Sequence, residues 1–211
     1  MVKILAVSDQ IVERIYSLAT DGHFSDIDFV LGCGDLPYPY LEYLVSVLGR
    51  PLLYVPGNHD PVYNPQNKNS LAEGCSNLDL KTGITEDLLV AGFGGSLRYR
   101  PDGANQYTQK QATSRAFRLL PALILNRLKH GRALDILITH SPPYGIHDEQ
   151  DEIAHQGLKA INLLIRWCQP RYVFHGHTHF YRQNLAPSIT HVGPTTVMNI
   201  FPYKVIEINH E

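Results

Sequence analysis

The chain has 211 residues, which is enough for one well-packed domain and leaves little for a second, so we expect a single domain over residues 1–211. With 44% hydrophobic and 18% charged residues, the composition is that of a globular protein and excludes a disordered or collagen-like chain. The 18 basic residues nearly balance the 20 acidic ones. The chain therefore lacks the positive charge by which proteins bind duplex nucleic acid.

The cysteines and the apolar segments bear on the cellular compartment. Cys33, Cys75 and Cys168 are widely spaced and form no CxxC pair, so the sequence predicts neither a disulfide framework nor a thiolate zinc site. The N-terminal residues lack the long apolar segment of a signal peptide, and no apolar run reaches membrane-spanning length. We therefore expect a cytoplasmic protein with no membrane partner.

Short runs of Val, Ile and Leu alternate with longer amphipathic segments, a pattern typical of βαβ units. In chain order, strands are predicted over Val2–Val7, Ile27–Leu31, Leu52–Val55, Leu78–Leu80, Leu88–Phe93, Asp135–Thr139 and Tyr172–Phe174, with further strands between Thr190 and Ile208. Helices are predicted over Ile11–Ala19, Tyr40–Leu48, Thr108–His130 and Gly157–Cys168. Pro121 lies inside the third helical segment and predicts a kink or a division into two helices. The alternation favours an α/β fold.

Side chains that suit metal coordination follow several of these strands, at the point where each strand ends. They are Asp9, Asp35, Asn58, His59, Asp60, His140, His175, His177 and His179. Any one of them alone is more commonly a turn residue or a helix cap. In open α/β sheets, however, the carboxyl ends of the strands line one crevice, so we expect these side chains to lie close together. Carboxylates, amides and imidazoles without thiolates suit Mn, Fe or Zn and are typical of a paired-metal hydrolytic centre.

The order and spacing of these residues carry a family resemblance. Asp9 is followed by Gly34-Asp35, by Gly57-Asn58-His59-Asp60, by His140 and by Gly176-His177-Thr178-His179. This series resembles the signature of the calcineurin-like metallophosphoesterases and spans residues 9–179. The resemblance implies a four-layer α/β/β/α sandwich of two mixed sheets flanked by helices. It also implies a metal site at the C-terminal edge of the strands.

The resemblance further implies a role for each of these residues. Asp35 would bridge two divalent metal ions, Asp9 and His179 would bind the first, and Asn58, His140 and His177 would bind the second. His59 would donate a proton to the leaving oxygen, and Asp60 would orient His59. The implied reaction is hydrolysis of a small phosphate ester, a phosphodiester or a nucleotide, by a metal-bound hydroxide.

The first block departs from the family pattern, because Asp9-Gln10-Ile11 stands where the family has Asp-x-His. We expect Ile11 to be a core residue of the first helix and the first metal site to be weakened by its presence. Asp21-Gly22-His23 has the Asp-x-His pattern, but it follows the first helix, so its position excludes it as the first block of the signature. Four other residues could replace the lost ligand, although a solvated loop or packing is their more ordinary role: His147, Asp151, His155 and His175.

Residues that could contact substrate follow the glycine-rich segment 92–96. The guanidinium groups of Arg98 and Arg100 could hold phosphate oxygens, although exposed arginines are common. Several tyrosines could stack on a base or an aryl group, and most of them are expected to pack or to line the rim: Tyr38, Tyr40, Tyr99, Tyr107 and Tyr144.

A second hypothesis belongs to another class of protein. The missing histidine at position 11 is compatible with a catalytically silent protein that uses this fold as a binding or scaffolding module. A module of that kind has no physical need for a proton donor at His59 beside a metal pair, so the sequence favours the enzyme. Metal stoichiometry would separate the two hypotheses.

Overall fold

Buried runs of aliphatic residues form the central strands of the molecule. The computed structural model describes residues 1–179 and 188–209. In chain order its strands are β1 (Val2–Val7), β2 (Phe29–Gly32), β3 (Leu52–Tyr54), β4 (Ser76–Asn77), β5 (Thr82–Thr85), β6 (Leu88–Phe93), β7 (Ser96–Leu97), β8 (Gln106–Tyr107), β9 (Ile136–Thr139), β10 (Tyr172–His175), β11 (Ile189–Val192), β12 (Thr195–Asn199) and β13 (Tyr203–Ile208). The helices are α1 (Glu13–Thr20), α2 (Tyr38–Leu48), α3 (Gln109–His130) and α4 (Lys159–Cys168).

The strands form two large mixed sheets and one small pair. The first sheet has the order β13-β1-β2-β3-β4, and the second has the order β11-β12-β10-β9-β6-β5. Strands β1 to β4 run parallel, while β13 pairs antiparallel to β1. In the second sheet the inner strands β12, β10, β9 and β6 run parallel, and antiparallel strands close both edges. The parallel strands therefore end at common edges, where the predicted ligands follow them.

Three hydrophobic clusters separate the layers. The central cluster joins the facing sides of the two sheets, for example Ile4 and Leu31 with Val90 and Ile138. A second cluster packs α1 and α2 on the outer face of the first sheet, and a third packs α3 and α4 on the outer face of the second. The order of layers is thus helices, sheet, sheet, helices, which confirms the predicted α/β/β/α sandwich. Within the described ranges, none of the helices is both long and apolar enough to cross a membrane.

Helix α3 runs without a break through Pro121, so the predicted division into two helices is wrong. Its start is fixed by a capping box, because Thr108 accepts a hydrogen bond from the Gln111 backbone and the Gln111 side chain accepts one from the Thr108 backbone. Its buried residues lie on both sides of the proline, including Leu119 and Leu123, and they pack against the second sheet. This packing offsets the hydrogen bond that proline removes.

The start of α1 also differs from the prediction. Ile11, Ile15 and Leu18 have helical spacing, but the helix begins only at Glu13. Ile11 precedes it and is 36% exposed, so the expectation that Ile11 is a core residue is wrong. Ile15 packs in the cluster beneath α1, and Val12 packs against that cluster, so Val12 takes up the apolar contact at this end of the helix.

Two strands in the middle of the chain were placed inaccurately from the sequence. The strand predicted over Leu78–Leu80 lies at Ser76–Asn77 instead, where it pairs with β3. Within the predicted range, only Asp79 forms a bridge, and its partner Gly92 belongs to β6 of the second sheet. The edge strand β5 was not predicted, because its sequence, Thr-Gly-Ile-Thr, contains a single large apolar residue.

Candidate metal centre

The backbone turns sharply at several of the predicted ligands. Asp9, Asp35 and His177 have φ values of 61°, 54° and 68°, in the left-handed region that residues other than glycine seldom adopt. Each of the three follows the end of a parallel strand, namely β1, β2 and β10. Strained backbone of this kind persists where the surrounding structure holds it and clusters at functional sites. The three residues are therefore held in place at one edge of the sheets.

Two glycines of the predicted signature are required by close approach. At Gly34 the φ value is +87°, and a Cβ there would lie 2.6 Å from Nδ1 of His140. At Gly57 a Cβ would collide with the carboxylate of Asp35. Since no side chain can occupy these points, the loops after β2 and β3 can pack directly against the ligand side chains.

Donor atoms from four loops converge around Nε2 of His140. This atom lies 2.9 Å from Oδ1 of Asn58, 3.3 Å from Oδ2 of Asp35 and 3.1 Å from Nδ1 of His177. Two ligand atoms that each lie about 2.1 Å from one ion, at an angle of about 90° to 110°, are about 3.0–3.4 Å apart. The observed separations therefore match those of ligands around one cation. The set contains one carboxylate, one amide oxygen and two imidazole nitrogens, which suits Mn, Fe or Zn.

Backbone carbonyls orient the two imidazoles. Nδ1 of His140 lies 2.9 Å from the carbonyl oxygen of Cys33, and Nε2 of His177 lies 2.6 Å from that of Ala154. A carbonyl oxygen can only accept, so each of these nitrogens carries the proton. The tautomer that follows leaves Nε2 of His140 and Nδ1 of His177 with their lone pairs toward the cluster, as metal binding requires.

The electrostatics of the cluster reflect strong coupling between a carboxylate and an imidazole. Burial opposes the charged form of Asp35, but the neighbouring His140 outweighs this and lowers the pKa of the Asp35 carboxyl to about 2. Burial likewise opposes the charged form of His140, but Asp35 outweighs it and raises the pKa of His140 to about 10. Burial and the adjacent His140 lower the pKa of His177 to about 3. Without a cation, His140 therefore carries the positive charge of the cluster.

The residues expected at the first metal lie beside this cluster. Both carboxylate oxygens of Asp9 accept hydrogen bonds of 3.0 Å from the backbone N–H of His177. Nε2 of His179 lies 3.8 Å from Oδ1 of Asp9, and its ring stacks on Phe201 at 4.4 Å. The nearby carboxylate of Asp9 raises the pKa of His179. Asp9 and His179 are thus adjacent, whereas Ile11 brings no ligand atom.

His59 and Asp60 have different environments. The His59 side chain is 68% exposed, and its Nε2 lies 4.0 Å from Oδ2 of Asp35. Asp60 is buried, and its Oδ2 accepts hydrogen bonds from the backbone N–H groups of Asp35 and Gly57. Burial raises the pKa of Asp60 to about 6. Contrary to the expectation that Asp60 orients the His59 ring, its carboxylate ties together the two loops that carry Asp35 and Asn58.

A cleft of about 230 Å³ opens above the cluster. Its lining residues include Asp9, Asp35, Asn58, His59, Tyr99, His155, His177 and His179. Arg98 and Arg100 do not line it: the Arg98 guanidinium donates to the carbonyl of Gln106, and that of Arg100 lies over the Tyr99 ring. Among the residues that the structure describes, the lining of this cleft thus offers imidazoles, carboxylates and an amide but no guanidinium.

Of the four residues considered as replacements for the missing ligand, His155 lines this cleft. Nδ1 of His155 lies 3.1 Å from a carboxylate oxygen of Glu152. His147 and His175 instead contact each other, with 2.9 Å between Nδ1 of His147 and Nε2 of His175. Asp151 is exposed and does not line the cleft.

Several groups that orient the cluster were not identified from the sequence. The hydroxyl of Tyr99 accepts a hydrogen bond of 3.2 Å from Nδ2 of Asn58, which turns the amide oxygen of Asn58 toward His140. Nδ2 of Asn105 donates to the carbonyls of Gly57 and Asp60 and so fixes the loop that carries His59. The backbone carbonyls of Cys33 and Ala154 could not be identified from the sequence, because every residue has a backbone carbonyl.

The fold and the donor set together define an α/β/β/α protein with a group of candidate metal ligands beneath an open cleft. The sequence matches the calcineurin-like phosphoesterase family over residues 3–181, and the chain belongs to that family. Among curated proteins it is similar to the uncharacterized protein MJ1162 of Methanocaldococcus jannaschii, with 26% identity over 186 residues that cover 83% of this chain and 78% of the relative.

Solved structures share the fold at low sequence identity. TT1561 of Thermus thermophilus superposes with a TM-score of 0.58 at 21% identity, over 94% of this chain and 88% of that one. GAP50 of Plasmodium, described as the anchor in the inner membrane complex, superposes with a TM-score of 0.54 at 11% identity, over 94% of this chain and 70% of that one. At these identities the likeness concerns the fold alone.

Proposed function

We propose that this protein hydrolyses a small phosphate ester, a phosphodiester or a nucleotide, with divalent metal ions bound at the cluster. The observation that carries the proposal is the convergence of Asn58 Oδ1, Asp35 Oδ2 and His177 Nδ1 within 3.3 Å of His140 Nε2. Asn58, Asp35, His140 and His177 would hold one cation, and Asp9, His179 and the shared Asp35 would hold a second, with Ile11 leaving that second position short of one ligand. A bound cation would supply positive charge that stabilises the phosphoryl oxygens and makes an attacking water more acidic.

The chain's own residues position the ester and move a proton. His59 stands exposed at the side of the cleft, with its Nε2 within 4.0 Å of the Asp35 carboxylate. From there it donates a proton to the oxygen of the departing alcohol as the bond from phosphorus to that oxygen breaks. A water oxygen bonds to phosphorus on the side opposite the departing oxygen and releases one of its protons to solvent, so no bond forms between the protein and the phosphoryl group. Tyr99 and Asp60 only position other groups. Tyr99 orients the Asn58 amide, and Asp60 holds the backbone of the loop that carries Asp35.

The test compares esters that differ in their need for a proton donor. We expect Mn²⁺-loaded protein to cleave bis(4-nitrophenyl) phosphate, and His59→Ala to lower kcat only modestly on it, because nitrophenolate departs without a proton. On an alkyl ester His59→Ala should lower kcat by about 10²- to 10⁴-fold. The matched control is His191→Ala, since His191 is exposed and lies on the edge strand β11. Equal losses on both esters would contradict the proton-donor role.

Metal content measured on the same samples separates this function from a silent scaffold. Two bound ions per chain with turnover support the enzyme. No bound ion and no turnover of any ester support the scaffold hypothesis, and one ion with turnover supports a mononuclear hydrolase.

A further inference from the structure

A second cleft, of about 310 Å³, lies next to the metal-ligand cleft. Its walls come from residues 35–39 at the start of α2, from residues 59–61, and from Asn69. Most of this wall is apolar, because its lining residues include Leu36, Tyr38 and three prolines. Its volume is at the lower end of the about 300–1,000 Å³ that is usual for small-molecule sites. The cleft can therefore take one ring system rather than a polymer.

His59 connects the two clefts, because it lines both of them. Asp35 also contributes to both walls. A proton donor must lie within hydrogen-bond distance of the oxygen that departs. If the phosphoryl group lies over the metal ligands and its departing oxygen bonds to His59, the rest of the alcohol can extend into a neighbouring space that His59 also borders. The second cleft is such a space, because His59 and Asp35 line it as well.

We infer that the second cleft binds the departing alcohol of the ester, and that this alcohol is uncharged and carries an aromatic ring, as a nucleoside does. The inference rests on the proposed function and specifies the substrate of that same site. The apolar wall provides surface against which a ring can be buried, and the exposed Asn69 amide provides a hydrogen-bonding group at the rim. Val62 and Tyr63, which follow Pro61 directly, are 58% and 57% exposed and extend the apolar surface beyond the cleft.

The charges of the wall exclude a second phosphate on the alcohol. The carboxylate of Asp60 belongs to the wall, whereas that of Asp35 would be neutralised by the bound cations, and none of the described residues that line the cleft is Lys or Arg. A phosphorylated or carboxylated alcohol would bring negative charge next to Asp60, and the proton donor of the wall, His59, is already taken up by the departing oxygen. The cleft therefore selects against charged alcohols by repulsion and for uncharged rings by burial.

The first experiment measures this selectivity with two chromogenic esters of methyl phosphate. One releases 4-nitrophenol, and the other releases 3-carboxy-4-nitrophenol, which is a ring of the same kind with one added carboxylate. We expect kcat/KM of the Mn²⁺-loaded protein to be at least tenfold lower for the carboxylated ester. Asn69→Lys places a cation at the cleft and should reduce this difference to less than threefold. Equal kcat/KM values for the two esters in the wild-type protein would overturn the inference.

The control variant is Gln66→Lys. It adds the same charge to the same exposed segment, but Gln66 does not line the cleft. We expect Gln66→Lys to keep the wild-type difference between the two esters. A reduction as large as that of Asn69→Lys would show that general attraction, and not the cleft, selects the alcohol.

A second experiment measures ligand binding to the cleft and requires no turnover. Thymidine binding is measured by ligand-detected NMR on wild type, on Asn69→Trp, which fills the cleft, and on Gln66→Trp. We expect wild type and Gln66→Trp to bind with the same Kd, and Asn69→Trp to bind at least tenfold more weakly. No thymidine binding to the wild type, or equal binding to all three, overturns the inference even if esters are hydrolysed. Failure of metal-loaded protein to cleave any ester overturns the proposed function instead, and the thymidine titration then reports on the cleft by itself.

Discussion

Nε2 of His140 lies 3.1 Å from Nδ1 of His177, although the two residues are 37 positions apart in the chain. The second nitrogen of each ring is bound to a backbone carbonyl, so the facing atoms are the ones with lone pairs. Two lone pairs at this distance repel each other unless a proton or a cation lies between them. In the metal-free protein a proton on His140 takes this place, because its pKa is raised to about 10.

Metal binding should therefore release a proton. Asp35, whose pKa is lowered to about 2, is charged at neutral pH, whereas His140 is protonated below about pH 10. A cation must displace this proton, so we expect the apparent affinity for Mn²⁺ to rise by up to about tenfold per pH unit between pH 6 and 9. Calorimetric titrations in buffers of different ionisation enthalpy measure the released protons directly. Binding that is independent of pH over this range would contradict the assignment of His140 as a ligand.

Gly57→Ala should weaken metal binding by displacing Asp35. A Cβ at this position collides with the Asp35 carboxylate, so the carboxylate or the loop after β3 must shift. We expect at least tenfold weaker Mn²⁺ binding, measured by competition with a chelator. Gly83→Ala is the matched control, because a Cβ there meets only ordinary contacts, at 3.5 Å or more. If both variants bind metal like wild type, the close approach at Gly57 does not set the ligand geometry.

The first metal position can be tested by adding or removing a side chain near it. Ile11→His restores the family pattern and should raise the number of bound ions per chain toward two, as measured by elemental analysis. His155→Ala tests whether His155, which lines the cleft, compensates for Ile11. A loss of one ion in His155→Ala means that it does. His23→Ala serves as the control, since His23 is exposed and follows α1. An unchanged metal content in Ile11→His would argue that the missing ligand does not limit occupancy.

The pair His147 and His175 should make the fold sensitive to acid. Burial lowers the pKa of His147 to about 4, and burial together with the adjacent His147 lowers that of His175 to about 3. In the unfolded chain both titrate near 6.5, so below this pH the unfolded state binds more protons than the folded state. The free energy of unfolding is therefore highest above about pH 6.5 and declines as the pH falls toward 3. The decline is at most about 1.4 kcal/mol per pH unit for each proton taken up on unfolding.

The measurement for this pair is urea unfolding at a series of pH values. His147→Leu removes one imidazole and one source of repulsion, so we expect a flatter decline of the unfolding free energy between pH 6.5 and 4. The exposed His23→Leu variant should retain the wild-type slope. A wild-type protein whose stability does not change over this range would show that the pair takes up no protons on unfolding.

Much of the site could be predicted because strand ends and ligand types are local features. Asp9, Asp35 and Asn58 follow apolar runs that are unambiguous strands, and parallel strands bring their ends to one edge. The exposure of Ile11 could not be predicted, because its spacing to Ile15 fits one face of a helix. In the structure Val12 packs against the cluster beneath α1 instead, and the helix begins after it.

Features that depend on distant packing also escaped prediction. Pro121 is tolerated in a continuous helix because the second sheet buries residues on either side of it. Asp60 was expected to contact the neighbouring His59 side chain, but it reaches back to the backbone of Asp35, 25 positions earlier. Contacts between separate loops have no signature in a single sequence, so these orienting groups can be found only in the structure.

The donor atoms belong to both halves of the sandwich. Asp35 and Asn58 follow strands of the first sheet, whereas His140 and His177 follow strands of the second. An ion held by all four would act as a cross-link between halves that otherwise adhere mainly through the apolar interior. Thermal melting would then require its release, and a concentration of ion one hundred times its Kd would stabilise the assembled halves by about 2.7 kcal/mol.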